Sequence, residues 1–150
     1  MEASLAVGSI RPGVAGDIDR VCAIDEVAQA DGDRREFIKD SLEGGQCLVA
    51  TDETGSITGY AVLEYSFFGH GFLSMVYTAA DHRRQRYATT LIDHVEVICR
   101  TEKIFSSTNL SNVPMQSLFA KRGYQMSGVV YGLDADDPEL IYSKGLRNAK

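Results

Sequence analysis

Between positions 81 and 91 the chain reads Asp81-His82-Arg83-Arg84-Gln85-Arg86-Tyr87-Ala88-Thr89-Thr90-Leu91, a basic turn separating a β-patterned run from an amphipathic helix pattern. A helix that starts there aims unpaired backbone N–H groups at whatever occupies the turn. Those donors, the positive end of the helix dipole and the arginines at 83, 84 and 86 together suit a phosphate or pyrophosphate, so an anionic cofactor is the natural occupant. The plainer reading of the same residues is a solvated arginine-rich turn. Where the turn sits in the chain has to decide between them.

Other reactive side chains point to less. Cys22, Cys47 and Cys99 are odd in number, far apart and set in apolar patterns, which suits reduced core thiols better than a disulfide framework. His70, His82 and His94 lack the spacing of a metal site, and no metal is expected. The formal net charge of −6 disfavours nucleic acid as a partner, because binding to phosphate backbones requires broad positive surface. An acidic chain with one compact basic turn fits a small anionic ligand there and a cationic second substrate elsewhere, although solubility alone also accounts for the acidity. No apolar run approaches the roughly 20 residues that span a bilayer. Met1-Glu2-Ala3-Ser4-Leu5 lacks the basic and apolar regions of a signal peptide, so the expected location is cytoplasmic with no membrane contact.

The elements around the turn follow from periodicity. Leu5 to Arg11 reads as a strand ended by Pro12-Gly13, and Asp17 as the cap of a helix running to about Ala30. Arg34 to Leu42 reads as a second helix stopped by Gly44-Gly45. Cys47 to Thr51 and Ile57 to Phe68 form a hairpin pattern, and Phe72 to Thr78 a strand feeding the basic turn, with His70 in a loop between glycines. From Tyr87 the period changes to about 3.6, with Ala88, Leu91, Ile92, Val95, Ile98 and Cys99 on one side. Ile104 to Thr108 is a further strand, Asn112 caps a helix with Pro114 in its first turn, and Val129 to Leu133 and Leu140 to Lys144 are strands around the acidic connection Asp134 to Glu139. Neither a repeat nor a linker interrupts the 150 residues, which read as one domain.

The basic turn resembles motif A of the GCN5-related N-acetyltransferases, Arg/Gln-x-x-Gly-x-Gly/Ala, with Arg83 first and Ala88 last; Arg86 stands where the family has glycine. Downstream, Asn112-Val113-Pro114-Met115-Gln116-Ser117-Leu118-Phe119-Ala120-Lys121-Arg122-Gly123-Tyr124 is similar to the family's Asn-x-x-Ala-x-x-Leu-Tyr-x-x-x-Gly-Phe segment. The element order is also the family's. The resemblance covers nearly the whole chain and implies an α/β (α+β) fold with one domain over residues 1–150, a mixed central sheet of about seven strands splayed in the middle, and about four flanking helices.

The resemblance implies acetyl-CoA as co-substrate. Val76 and Thr78 would lie along the pantetheine arm, and backbone N–H groups of Arg83, Arg84, Arg86, Tyr87, Ala88 and Thr89 would surround the pyrophosphate. Asn112 would contact the arm, a role that can coexist with that of a plain helix cap, and Phe119 would lie near the sulfur. A residue larger than glycine at 86 is expected to keep an ordinary φ/ψ and to send its side chain out of the turn.

Acetyl transfer to an amine needs a neutral amine, a stabilised oxyanion and a protonated leaving thiolate. The backbone N–H near Thr78 is the family-like oxyanion donor. Phe119 holds the position of the family's acidic tyrosine and Phe72 that of the glutamate of histone-type members, so neither usual group is present. Glu64 and Tyr131 are the candidates for proton transfer, with Tyr65, His70 and water as alternatives. The function implied is transfer of an acetyl group from acetyl-CoA to a primary amine of a small molecule or protein by direct attack in a ternary complex. The alternative is a non-catalytic acyl-CoA-binding module on the same fold. A homodimer is compatible with either.

Overall fold

Ser9–Pro12 opens the sheet as β1, and the computed structural model of the protein describes residues 8–83 and 86–146. Beyond Pro12 the next backbone N–H still donates to the Cys47 carbonyl at 2.8 Å. A Cβ on the following Gly13 would stand 2.5 Å from Leu42 Cδ2, so a larger residue there must push that side chain aside. The other elements are α1 (Ile18–Ile24), α2 (Gly32–Glu43), β2 (Cys47–Thr51), β3 (Ile57–Phe67), β4 (His70–Thr78), α3 (Tyr87–Ile98), β5 (Lys103–Asn109), α4 (Val113–Lys121), β6 (Gln125–Val130) and β7 (Glu139–Gly145). The seven strands run in the order β1-β2-β3-β4-β5-β7-β6, and the sheet is mixed because β4 and β5 pair in parallel. This is the expected seven-stranded sheet with four helices.

The chain divides into two compact units, Met1–Leu63 with Met75–Val95, and Glu64–Ser74 with Glu96–Lys150. The first centres on Val21, Cys22, Ile38, Leu42, Cys47, Val49, Tyr60 and Val62. Its α1 ends at Ile24, six residues short of the expected Ala30, and the cause is Asp25. The fully buried Asp25 carboxylate accepts the backbone N–H groups of Val27 and Ala28, the Tyr60 hydroxyl at 2.6 Å and Arg34 Nη1 at 2.6 Å. An acid that satisfies the next turn's donors competes with helix propagation.

Asp17 departs from expectation as well. It precedes α1 but makes no cap; its buried carboxylate takes two bonds from Arg11, one from Arg20 and the Val14 N–H. The Arg11 fork lowers its carboxyl to about 2. Phe68 (φ 53) and Gly69 (φ 79) make a two-residue turn of the type that matches strand twist, so β4 begins at His70. His70 is therefore a strand residue packed on Phe105, and not the loop residue expected.

Along α3, Leu91, Ile92, Val95 and the following Cys99 are buried as the periodicity predicts; Tyr87 joins them and Ile98 is exposed. In the second unit Phe119 is buried against Tyr142 and Tyr124, with ring centroids 5.0 and 5.2 Å away, and Glu96 receives both the Tyr124 hydroxyl and Lys144 Nζ. β6 starts at Gln125, directly after Gly123 (φ 89) ends α4, and stops before Gly132 (φ 92). The expected strand from Val129 to Leu133 is thus displaced toward the N-terminus, and Tyr131 falls in the connection to β7.

Candidate functional site around the start of α3

β4 delivers the chain to the basic turn. Among the described residues its pairs with β5 run only from Gly71↔Ile104 to Leu73↔Ser106, so Met75–Thr78 lies beyond that ladder. Within a strand, a residue's N–H and C=O share an edge and successive residues alternate. The Ala79 N–H goes to Thr58 on β3 at 2.8 Å, which turns the Thr78 N–H and carbonyl to the opposite, open edge. Arg83 Nε occupies that carbonyl at 2.9 Å, and its guanidinium sits 5.3 Å from the Tyr77 ring centre.

A short 3-10 turn, Ala80–His82, then leads to α3, with the His82 ring edge-on to Tyr87. The first intrahelical bond of α3 runs from Thr90 N–H to the Arg86 carbonyl at 2.9 Å, and the Thr90 hydroxyl joins the same oxygen at 2.8 Å. The N–H groups of Tyr87, Ala88 and Thr89 precede that bond and have no carbonyl within the helix. A capping side chain would normally take one of them, but Arg86 carries only donors. Burial pushes the Tyr87 phenol up, against a lowering hydrogen bond with Thr58, so Tyr87 contributes backbone and packing.

Arg86 corrects the sequence reading. Its φ is +72°, the left-handed value that glycine adopts without strain, so the arginine carries a cost of about 1 kcal/mol. Its side chain is exposed, as expected. The position of Arg84 lies outside the described residues. The result is a first helical turn whose Ala88 and Thr89 N–H groups follow an arginine and not an acceptor, and an oxyanion is a group that can satisfy such donors.

A model of the acetyltransferase (GNAT) family matches residues 17–124. A crystal structure of a GNAT-family acetyltransferase from Bacillus cereus ATCC 10987 is 34% identical, covering 93% of this chain and 98% of that one with a TM-score of 0.86. The chain belongs to the GNAT family. Two further structures are alike in fold alone. Ard1 from Thermoplasma volcanium is 16% identical with a TM-score of 0.81 over 93% of this chain and 98% of that one. The ribosomal-protein-S18-alanine N-acetyltransferase from Escherichia coli is 16% identical with a TM-score of 0.78 over 95% and 96%. No curated protein matches. GNAT membership supports acetyl transfer in general, and acetyl-CoA is the family's co-substrate. No helix among the described residues is long and apolar enough to cross a membrane, and none of their side chains cluster as a metal site.

The GNAT-like positions are divided between the two units. Val76, Thr78, Arg83, Arg86, Tyr87, Ala88 and Thr89 lie together in the first. Glu64, Asn112, Phe119 and Tyr131 belong to the second. Asn112 caps α4, accepting the Met115 N–H at 3.2 Å, and Phe119 is 1% exposed. Glu64 takes the Ser66 hydroxyl at 2.7 Å. Tyr131 is 77% exposed. Phe72 stacks on Phe67, and the Tyr65 ring lies under the Arg100 guanidinium while its hydroxyl accepts the Arg100 backbone N–H. Two features went unread in the sequence: the Asp25–Tyr60–Arg34 cluster and a Ser107–Glu139 bond at 2.7 Å. Acidic residues at a helix end and in a turn carry no periodicity that would mark them as buried or engaged.

Proposed function

We propose that the chain is an acetyl-CoA-dependent N-acetyltransferase that acts on a primary amine of a small molecule or protein by direct attack in a ternary complex. The observation that carries this reading is the start of α3, where the N–H groups of Ala88 and Thr89 in the first turn follow an arginine at position 86 instead of an acceptor side chain. Arg83 and Arg86 add charge for the cofactor's phosphates, and the open edge of β4 from Met75 to Thr78 offers backbone groups to the amides of the pantetheine arm. The Thr78 N–H, turned to that edge, supplies the oxyanion donor. In this reading residues 1–150 act as one catalytic domain, and positioning of the two reactants supplies much of the rate.

The test is titration calorimetry with acetyl-CoA, dephospho-acetyl-CoA and adenosine, followed by CoA-release assays on a panel of amines with mass spectrometry of the products. Saturable 1:1 binding that prefers acetyl-CoA, with an acetylated amine as product, is expected. Absence of saturable binding at millimolar acetyl-CoA would remove the reading. A second reading, an acyl-CoA-binding module without catalysis, is favoured by Phe119, which has no proton to give where the family carries tyrosine. Binding without turnover on any amine would select it.

A further inference from the structure

The second unit carries a cavity of about 560 Å³ where the start of β5, the start of β6 and the end of β7 meet. Register sets its lining: Lys103 lies opposite Gly145, and Phe105 and Gln125 both lie opposite Ser143. Side chains alternate across a strand, so these residues share one face. The intervening Ile104, Ser106 and Tyr142 are buried on the other, where Tyr142 meets Phe119 of α4. β6 shifts register between Met126 and Gly128, and a bulge of this kind re-aims a side chain. The residue between them is Ser127, whose hydroxyl shares a hydrogen bond with that of Ser143. A Cβ on Gly145 would meet nothing within 4 Å, so the glycine leaves the space above Lys103's partner position open.

The lining selects a charge. The chain has 21 acidic and 15 basic residues, yet two lysines and no acid line this cavity. Lys144 is already balanced, its Nζ 2.9 Å from Glu96 Oε1. Lys103 Nζ has no hydrogen-bond or ion-pair partner among the described residues, and neither has the Gln125 side-chain amide. An anion is therefore the group that the cavity attracts. No arginine and no helix N-terminus lines it, so the cradle of donors that holds a phosphate dianion is absent. One uncompensated lysine, a side-chain amide and a hydroxyl pair suit a monoanion such as a carboxylate. Phe105 supplies an apolar surface, its ring fixed by Phe67 and His70 with centroids 4.9 and 5.6 Å away. The volume exceeds that of a carboxylate alone and lies in the range of small-molecule sites.

We propose that this cavity binds a small carboxylate with a planar apolar body, the carboxylate on Lys103 and Gln125 and the planar body on Phe105. The serine pair adds a donor. Of its two hydroxyl hydrogens one holds the pair together, and the second reaches only the Gln125 carbonyl at 3.4 Å. β5 runs from Lys103 at the cavity to Asn109, and the Asn112 cap of α4 follows, so the cavity lies at the far end of this strand from the start of α4. The site belongs to the second unit alone and shares no residue with the start of α3. It stands whether or not the chain acetylates an amine.

The experiment titrates isotope-labelled protein with benzoate, cyclohexanecarboxylate, benzylamine and inorganic phosphate, reading backbone amide shifts by NMR, and repeats benzoate on Lys103→Gln and Gly145→Leu. Benzoate is expected to saturate with a Kd of about 1 mM or tighter, moving the amides of Lys103, Phe105, Gln125 and Ser143. Lys103→Gln should weaken it about tenfold by removing the charged donor. Gly145→Leu should abolish it by filling the open space. Cyclohexanecarboxylate should bind about threefold more weakly for want of a flat face, and benzylamine, with the same ring and the opposite charge, should not bind. No saturation by benzoate up to about 20 mM would overturn the proposal. So would unchanged benzoate affinity in the variants, shifts confined to the start of α3, equal affinity for benzylamine, or phosphate binding tighter than benzoate. Lys103→Gln alters only an exposed side chain, so it decides the matter if Gly145→Leu does not fold.

Discussion

The starts of α2 and α4 are closed by their own side chains, and α3 begins behind a residue that carries only donors. Asp31 accepts the Asp33 N–H at 2.9 Å and Asn112 accepts the Met115 N–H at 3.2 Å, whereas α3 begins behind an arginine held at φ +72°. The two capped starts gain stability locally, whereas α3 begins with a strained arginine that offers its first turn no acceptor. In the reading proposed above, the third start is the one that takes an anion. Asp17 shows the same choice in reverse, since it stands at a capping position before α1 and spends its carboxylate on Arg11 and Arg20.

The comparison predicts that damage near α4 lowers stability while change at α3 alters affinity. The largest effect is expected from Phe119→Ala, which removes a ring 1% exposed and stacked on Tyr142. A loss of about 3 kcal/mol is expected in urea denaturation. A loss of acetyl-CoA affinity in the folded protein with stability unchanged would break the contrast by giving Phe119 a ligand-binding role instead of a packing one.

Asp17 gives the next effect, read against pH. Its carboxyl lies at about 2 in the folded chain against an ordinary 3.8, so its contribution is present above pH 3.8 and is lost as pH falls through that value toward 2. The shift corresponds to about 2 kcal/mol. Asp17→Asn should flatten the acid limb of the stability–pH curve in that window, and an unchanged limb would show that the pair with Arg11 contributes nothing net.

The smallest but most pointed effect comes from Arg86→Asp, which gives α3 the kind of cap that α2 has. A carboxylate there should stabilise the unliganded protein by about 1 kcal/mol. It should also weaken acetyl-CoA at least about tenfold, by occupying a donor and repelling phosphate. Asn112→Ala is the mirror case, costing about 1 kcal/mol of stability with affinity within about threefold. Equal affinity losses in both variants would erase the distinction between the two helix starts.

The strand order and the turn before α3 were legible because each rests on local pattern: alternation in Ile57–Phe67, a 3.6 period from Tyr87, and arginines between them. Boundaries set by long-range contacts were not. α1 stops at Ile24 because the Asp25 carboxylate is drawn to Tyr60 and Arg34, 35 and 9 residues away. Tyr131 drops out of β6 because the glycines at 123 and 132 fix where that strand begins and ends. Arg86 reads as a departure from a motif, and its φ of +72° is a value that glycine adopts without strain. Glu139 reads as the end of an acidic turn, and only the pairing of β7 with β5 brings it to Ser107.

The three thiols bear on how the chain comes apart. Cys22, Cys47 and Cys99 are unpaired in disulfides and 2 to 3% exposed, and burial pushes Cys47 up to about 12. A thiol reagent in neutral buffer meets almost no thiolate at Cys47 while the fold is closed. Cys22 and Cys47 sit in the core of the first unit and Cys99 follows α3 in the second, so the chain carries reporters in both. The order in which they become labelled traces which unit opens first, without any label being added by design.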